Sequence, residues 1–326
     1  MTKINVAVAM GGYSSEHDIS IKSGTVVCEA LDPNLYNVFP IHITKNQWYY
    51  LSSEGDKYPI NKGDFSWSIG SDKITTDVVF NTVHGTPGED GFLAAYFELL
   101  HIPHTSTGFY EAALSFNKRD CLSVLKNFGV ACAQSYYINK GIDFDIETVI
   151  KTVGLPCFVK PNRAGSSFGI SKVTTYEKFL PAVEKAFEED SEIIVETALV
   201  GTEVSVGIFT KNNQVIALSP TEIVSENDFF DYEAKYEGKS DEITPARISE
   251  KETLAVQEMA KNIYRLLNMR GVTRSDFIIQ NGVPHFIEIN TTPGLSIESI
   301  IPKQAREAGI TLTHFFDLLI KEALST

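Results

Sequence analysis

The chain has 326 residues, more than one comfortable core holds and enough for two or three small domains. Apolar residues at 43% and charged residues at 21% are ordinary for a globular protein and argue against disorder. Twenty-eight basic against 42 acidic residues give a net charge of −14, which repels nucleic-acid backbones and anionic lipid surfaces.

The apolar run 4–10 ends in Gly11-Gly12. It is too short for a membrane span of roughly 18–20 residues or for a signal peptide, and it reads as a buried first strand. Segments 38–43 and 76–83 are also strand-like, and 20–31 and 91–99 have helical spacing. This βαβ rhythm predicts an open, largely parallel α/β domain over residues 1–102. Between 47 and 71 the chain turns polar and aromatic, which predicts a surface insertion or a short hairpin. A second unit, 103–195, begins with helical spacing at 111–128. Strands at 157–161 and 169–173 flank the small loop 162–168, and an amphipathic helix follows at 176–189. Strands at 193–197 and 203–210 open a third unit, 196–326. The acidic stretch 225–241 reads as a long exposed loop and 250–267 as a helix. Residues 277–280 and 285–290 form a hairpin across Asn281-Gly282.

Cys28, Cys121, Cys132 and Cys157 are scattered without a CxxC pair, so free thiols in a reducing cytoplasm fit better than disulfides or structural zinc. Two motifs mislead. Asn290-Thr291-Thr292 spells a glycosylation sequon, irrelevant in the cytoplasm. Gly238-Lys239-Ser240 ends like a P-loop, but Glu233 stands where that motif needs glycine.

Four clusters carry chemistry. The loop from Arg163 to Gly169 follows Lys160-Pro161; its small residues, with Ser166 and Ser167, suit backbone and hydroxyl contacts to an anion, and an ordinary glycine-containing hairpin is the alternative. Asp276, Glu288 and Asn290 lie on one predicted hairpin. Glu288 and Asn290, two apart, leave the same face, as do Arg274 and Asp276. Oxygen-only ligands of this kind suit Mg²⁺, which also takes phosphates and waters. The segment from Asp231 to Tyr236 could close over phosphates with Lys235 and Tyr236, or be a solvated loop. Finally, Glu16 follows the first strand, and His84 heads the segment HGTPGEDG after another. Glu16 suits a ligand ammonium or a helix cap; two such loops at adjoining strand ends suggest a shared cleft. The dinucleotide fingerprint Gly-x-Gly-x-x-Gly is absent, which argues against a Rossmann NAD site.

Seven segments in order, GGYSSEHDIS, HGTPGEDG, FNK, VKPNRAGSSFGI, DYEAKY, RSDF and EINTTPG, resemble the D-alanine–D-alanine ligases of the ATP-grasp superfamily over nearly the whole chain. The resemblance implies an α/β and α+β architecture: an N-terminal open parallel α/β domain and two α+β domains that clamp ATP. It implies ligation of two D-alanine molecules through an acyl phosphate, for peptidoglycan precursor synthesis, by a cytoplasmic homodimer that uses ATP and two divalent ions, magnesium or manganese. Lys118, Lys160, Ser167 and Lys235 would contact ATP phosphates, and Glu196, Leu199 and Glu203 adenine and ribose. Asp276, Glu288 and Asn290 would bind the metal. Glu16 would fix the first D-alanine's ammonium, in a hydrogen-bonded set with Ser166 and Tyr236. His84 would line the substrate cleft, Arg274 and Gly294 the oxyanion region, and Ser299 would help hold the second substrate's carboxylate. Phe230 stands where relatives often have tyrosine, and Thr197 where lysine is common beside adenine. Other readings are a different ATP-grasp carboxylate–amine ligase, a D-alanine–D-lactate ligase, or a nucleotide-binding regulator without turnover.

Overall fold

The computed structural model describes residues 2–165, 168–225 and 240–325. Its first sheet is built on the apolar run identified above: β1 (Ile4–Gly11) pairs in parallel with β2 (Tyr36–Ile43) and β7 (Val78–Asn81). Val6 to Ala9 are fully buried, the mark of a strand covered on both faces. Helix α1 (His17–Ala30) crosses from β1 to β2, and α2 (Phe92–Leu99) follows β7.

Residues 47–71 depart from the expected surface insertion. A hairpin does form, but it extends the first sheet, β3 (Trp48–Leu51) antiparallel to β2 and β4 (Lys57–Pro59) antiparallel to β3, while β5 (Trp67–Ile69) pairs with β6 (Asp72–Ile74). Trp48, Ile60, Phe65 and Trp67 are buried in one cluster with Ile41 and Phe97. The aromatic residues therefore enlarge the core, and Trp48 Nε1 donates to Tyr13 Oη at 3.0 Å, tying this segment to the loop after β1.

The helical stretch 111–128 is broken into α3 (Phe109–Phe116) and α4 (Lys118–Asn127). The break is a cap: Asn117 Oδ1 accepts the Asp120 N–H at 3.0 Å, which starts a new helix at Lys118. Next comes an antiparallel sheet in the order β10 (Ser171–Val173), β9 (Cys157–Pro161), β11 (Glu192–Thr197), β8 (Ser135–Asn139). Strand β11, expected to open the third unit, belongs here, paired with both β8 and β9. Helices α5 (Ile146–Val153) and α6 (Phe179–Glu189) cover one face of the sheet; a 3₁₀ turn over Tyr176–Lys178 precedes α6. Phe179, Ala182, Val183 and Ala186 form the buried i, i+3, i+4, i+7 stripe of α6.

The third sheet runs β15 (Ser240–Ile243), β14 (Thr221–Ser225), β12 (Thr202–Lys211), β16 (Thr273–Gln280), β17 (Val283–Asn290), with β13 (Gln214–Ala217) on the far end of β12. Asn281 (φ 53°) and Gly282 (φ 75°) both take the left-handed conformation that a tight hairpin turn needs. On β12, Val204, Val206 and Ile208 pack with Val256, Ala260 and Ile263 of α7 (Glu250–Leu266), which opens on a capping box between Ser249 and Glu252. The alternate residues face α8 (Ile300–Glu307) and α9 (Leu312–Ser325). Phe315 of α9 stacks edge-on with Phe209 at 5.1 Å, and Phe316 with Phe80 of β7 at 5.4 Å. One core therefore joins the first and third sheets and fixes the cleft between them. Among the described residues, no helix is long and apolar enough to cross a membrane.

Candidate active site

The loops after β1 and β7 meet because those strands are parallel neighbours. Tyr13 N–H donates to Thr86 O at 2.9 Å, and Ser14 Oγ to His84 O at 3.0 Å. Glu16 occupies the N-cap position of α1, yet its side chain makes no capping bond, so the helix-cap alternative fails. Its carboxylate is turned toward two glycines: a Cβ at Gly165 would lie 3.0 Å from Glu16 Oε2, and one at Gly85 3.5 Å. The loop after β9 is thereby brought against the N-terminal sheet.

His84 is buried, and desolvation pulls its pKa below the ordinary histidine value against the charge of Glu16, so the ring is neutral at neutral pH. Its Nε2 lies 3.3 Å from Ser23 Oγ, which also accepts the Leu295 N–H at 3.1 Å. That contact ties His84 and α1 to the loop carrying Gly294. Glu89, the first acid of the same HGTPGEDG segment, was not singled out from the sequence. Its Oε2 accepts the Gly85 N–H at 2.7 Å, and burial, with the nearby charge of Glu16, pushes its pKa up to about 8.

Across the cleft, the β16–β17 register sets Asp276 opposite Glu288 and Arg274 opposite Asn290, so all four stand on one face. The Arg274 guanidinium grips Asp276 at both oxygens, Nε to Oδ1 at 2.9 Å and Nη2 to Oδ2 at 2.8 Å, and Ser205 Oγ donates to Oδ1 at 2.6 Å. Lys118, first residue of α4, donates to Ala164 O at 2.9 Å and lies 3.6 Å from Glu288 Oε2. Lys160 and Glu196 form a nearly buried pair at 2.9 Å. Desolvation works against the Lys160 charge, but Glu196, supported by Glu288 and Glu203, outweighs it and raises the pKa above the usual lysine value. At the far end, Ser299 is the N-cap of α8 with no capping bond from its side chain; its Oγ lies 2.7 Å from Ser296 Oγ, and a Cβ on Gly294 would come within 2.8 Å of it.

These groups line two adjoining cavities. The larger, 340 Å³, takes in Glu16, His84, Arg274, Asn290, Gly294 and Ser299, with Lys22, Glu89, Glu242 and Ser296 as lining residues the sequence did not nominate. The smaller, 110 Å³, is lined by Lys160, Glu196, Leu199, Glu203, Asp276 and the rings and methyls of Phe158, Ile170 and Ile278. Lys118 and Glu288 belong to both and mark the passage between them. Thr197 lines the smaller cavity with its Oγ1 donating to Val153 O at 2.6 Å. Ser166, Ser167, Phe230, Lys235 and Tyr236 lie outside the described residues. Among the described residues no three His, Cys, Asp or Glu cluster as a protein-only metal cage. The two facing carboxylates and the amide are oxygen donors of the kind that suit magnesium in company with phosphates and water.

A slot walled by apolar side chains and buried acids, opening past two lysines onto a polar cavity, has the form of a nucleotide site beside a small ionic substrate, as a group-transfer enzyme needs. Comparison with known proteins gives the family. Models described as the D-ala D-ala ligase N-terminus and C-terminus match residues 5–107 and 124–321. A D-alanine–D-alanine ligase of Flavobacterium johnsoniae is 54% identical over 98% of this chain and 99% of its own. The VanG D-Ala:D-Ser ligase of Enterococcus faecalis superposes with a TM-score of 0.87 at 31% identity, covering 99% of this chain and 100% of that one. The D-alanine–D-alanine ligase of Bacillus anthracis, solved with ATP, superposes at 0.81 and 26% identity, covering 99% and 98%. The chain belongs to the D-alanine–D-alanine ligase family.

Proposed function

We propose that this protein is a cytoplasmic ATP-dependent ligase that joins two D-alanine molecules into the dipeptide used for peptidoglycan precursors. The observation that carries the reading is the meeting of the two cavities at Lys118 and Glu288: a nucleotide in the smaller one would present its terminal phosphate to an amino acid in the larger one.

A carboxylate resists amines because it would have to expel oxide. The first D-alanine carboxylate attacks the γ-phosphorus of ATP, releasing ADP and leaving an acyl phosphate. The second D-alanine's amine attacks that carbonyl, loses a proton and expels phosphate. Such transfers need alignment and charge neutralisation more than covalent help. Glu16 offers the counter-charge for the first ammonium. Arg274 and the Gly294 backbone face the carbonyl oxygen as it gains charge, and Ser299 meets the second carboxylate. Lys118 and Lys160 draw the phosphates into line. Asp276, Glu288 and Asn290 would hold magnesium, which supplies charge neutralisation to phosphate oxygens when bound. The neutral His84 and the raised acid Glu89 back the cleft without adding charge to it.

The test is phosphate release from ATP and Mg²⁺ with D-alanine, L-alanine, D-alanine plus D-lactate, or D-alanine plus D-serine, with products weighed by mass spectrometry. D-alanine alone should yield phosphate and a matching dipeptide. Silence with D-alanine despite ATP binding would refute the reading. We also propose a homodimer. Phe92 and Leu99 of α2 are 69% and 80% exposed beside Phe109 and Tyr110 of α3, an apolar face suited to a second copy; a monomer by light scattering at micromolar concentration would exclude it.

A further inference from the structure

Helix α8 presents Ser299 to the larger cavity and, little more than one turn later, carries a glutamine that the chemistry above does not use. Gln304 is completely buried, and its amide is bonded on every side to the third sheet. Oε1 accepts the Gly207 N–H at 2.9 Å; Nε2 donates to Ser205 O at 2.8 Å and to Thr221 Oγ1 at 3.0 Å. Ser205 is the register partner of both Thr221 and Asp276, and Asp276 of Glu288. One polar row therefore crosses four strands, Thr221, Ser205, Asp276, Glu288, with the Ser205 hydroxyl donating to Asp276 Oδ1.

The approach of helix to sheet is close enough to need a glycine below it. A Cβ at Gly207 would meet Ile301 Cδ1 at 2.6 Å and Gln304 Oε1 at 2.7 Å. An apolar side chain of the same volume would fill this space without needing any partner. A buried amide holds only where donors and acceptors are met, so three bonds in different directions fix both the rotation and the height of the helix on the sheet.

We infer that Gln304 is a positioning residue, holding the Ser299 end of α8 at a set distance from the Asp276–Glu288 carboxylates so that the acceptor amine meets the activated carboxyl. This rests on the ligase reading. Gln304→Met keeps the volume and removes the three bonds. D-alanine saturation of the full-length enzyme, read for the first and second substrate sites, is measured beside nucleotide affinity by calorimetry. Misplacement by about 1 Å costs on the order of 100-fold in rate, so kcat should fall about 10–100-fold and the half-saturating concentration at the second site, beside Ser299, rise about tenfold. The first site and nucleotide affinity should hold within about twofold. Thr221→Val removes one bond of the three and should give a smaller shift of the same kind, which keeps the idea open to refutation if Gln304→Met does not fold. Unchanged D-alanine constants in either folded variant, with kcat lowered only in step with the fraction that binds nucleotide, overturn the inference. Absence of D-alanine-dependent phosphate release in the unaltered enzyme removes the ligase reading and this inference together, and is seen before any variant is made.

Discussion

Replacing Arg274 separates the chemistry proposed for it from its structural role. Its guanidinium is 14% exposed and bonds both oxygens of Asp276, itself 11% exposed, so the pair is largely withdrawn from water. Arg274→Ala leaves Asp276 with the Ser205 hydroxyl but without its cation. Breaking a buried pair costs about 3–5 kcal/mol when water cannot enter. The open cavity beside this one admits water and brings the loss of stability nearer 1–3 kcal/mol. Turnover should suffer more. A donor aimed at a developing oxyanion is worth about 3–4 kcal/mol, or roughly 100–1000-fold in kcat. Arg274→Lys keeps a charge but not the forked grip on Asp276, and should recover only part of that. The assay is dipeptide formation at saturating D-alanine, normalised to the fraction of enzyme that binds nucleotide. Turnover of Arg274→Ala within about threefold of the unaltered protein would refute the assignment.

Glu196→Gln removes the charge that keeps Lys160 protonated; nucleotide affinity should fall about tenfold at neutral pH and further as pH rises, and a pH-independent affinity equal to the original would contradict this. Glu89 binds a proton in the folded protein up to about pH 8 but in the unfolded chain only to about 4.5. The folded state therefore loses stability as pH rises between those values, and Glu89→Gln should flatten that part of a Tm-against-pH curve; an unaltered slope would show that Glu89 is not its source. Gly88→Ala puts a Cβ 1.9 Å from Val83 O, so the loop from His84 to Gly91 must move; D-alanine half-saturation should rise at least about tenfold, and an unchanged value would mean that the loop does not shape the cleft. Calorimetry should find ATP binding at least about tenfold weaker without divalent cation, and equal affinity with and without it would refute the metal assignment.

What the sequence made legible was local. Asn281-Gly282 announced the turn of the β16–β17 hairpin, and a period of two placed Arg274 with Asp276 and Glu288 with Asn290. The pairing that sets these couples opposite one another depends on register across the hairpin. Strand β11 could not be assigned to its sheet from its own residues, because its partners β8 and β9 lie tens of residues earlier. The stretch 47–71 looked like surface because its aromatic residues follow no simple period, yet Trp48, Phe65 and Trp67 close a core with residues from β2 and α2. Glu89 stood in a segment already quoted. Its significance comes from burial beside Glu16, which no spacing rule reports. Gln304 gave no signal, since a glutamine on a helix with acids and bases nearby reads as solvated.

A net charge of −14 works against holding a polyanionic nucleotide. The cleft answers this through pairing. Among the described residues, three central cations each have an acid within reach: Lys118 with Glu288, Lys160 with Glu196, Arg274 with Asp276. Buried cations without anions nearby would lose their charge or be expelled toward water, so these pairs hold the charge in the site. Two of the three acids belong to the proposed magnesium set. A triphosphate entering alone would compete with Asp276 and Glu288 for Arg274 and Lys118 and would meet their negative charge. A divalent ion entering alone would meet two carboxylates already neutralised. Entering together, the ion would take Asp276 and Glu288 while anionic oxygens would take Arg274 and Lys118, so each of those four charges would exchange one partner for another. Coupled binding follows from that exchange, because either ligand on its own must break ion pairs that the other would compensate.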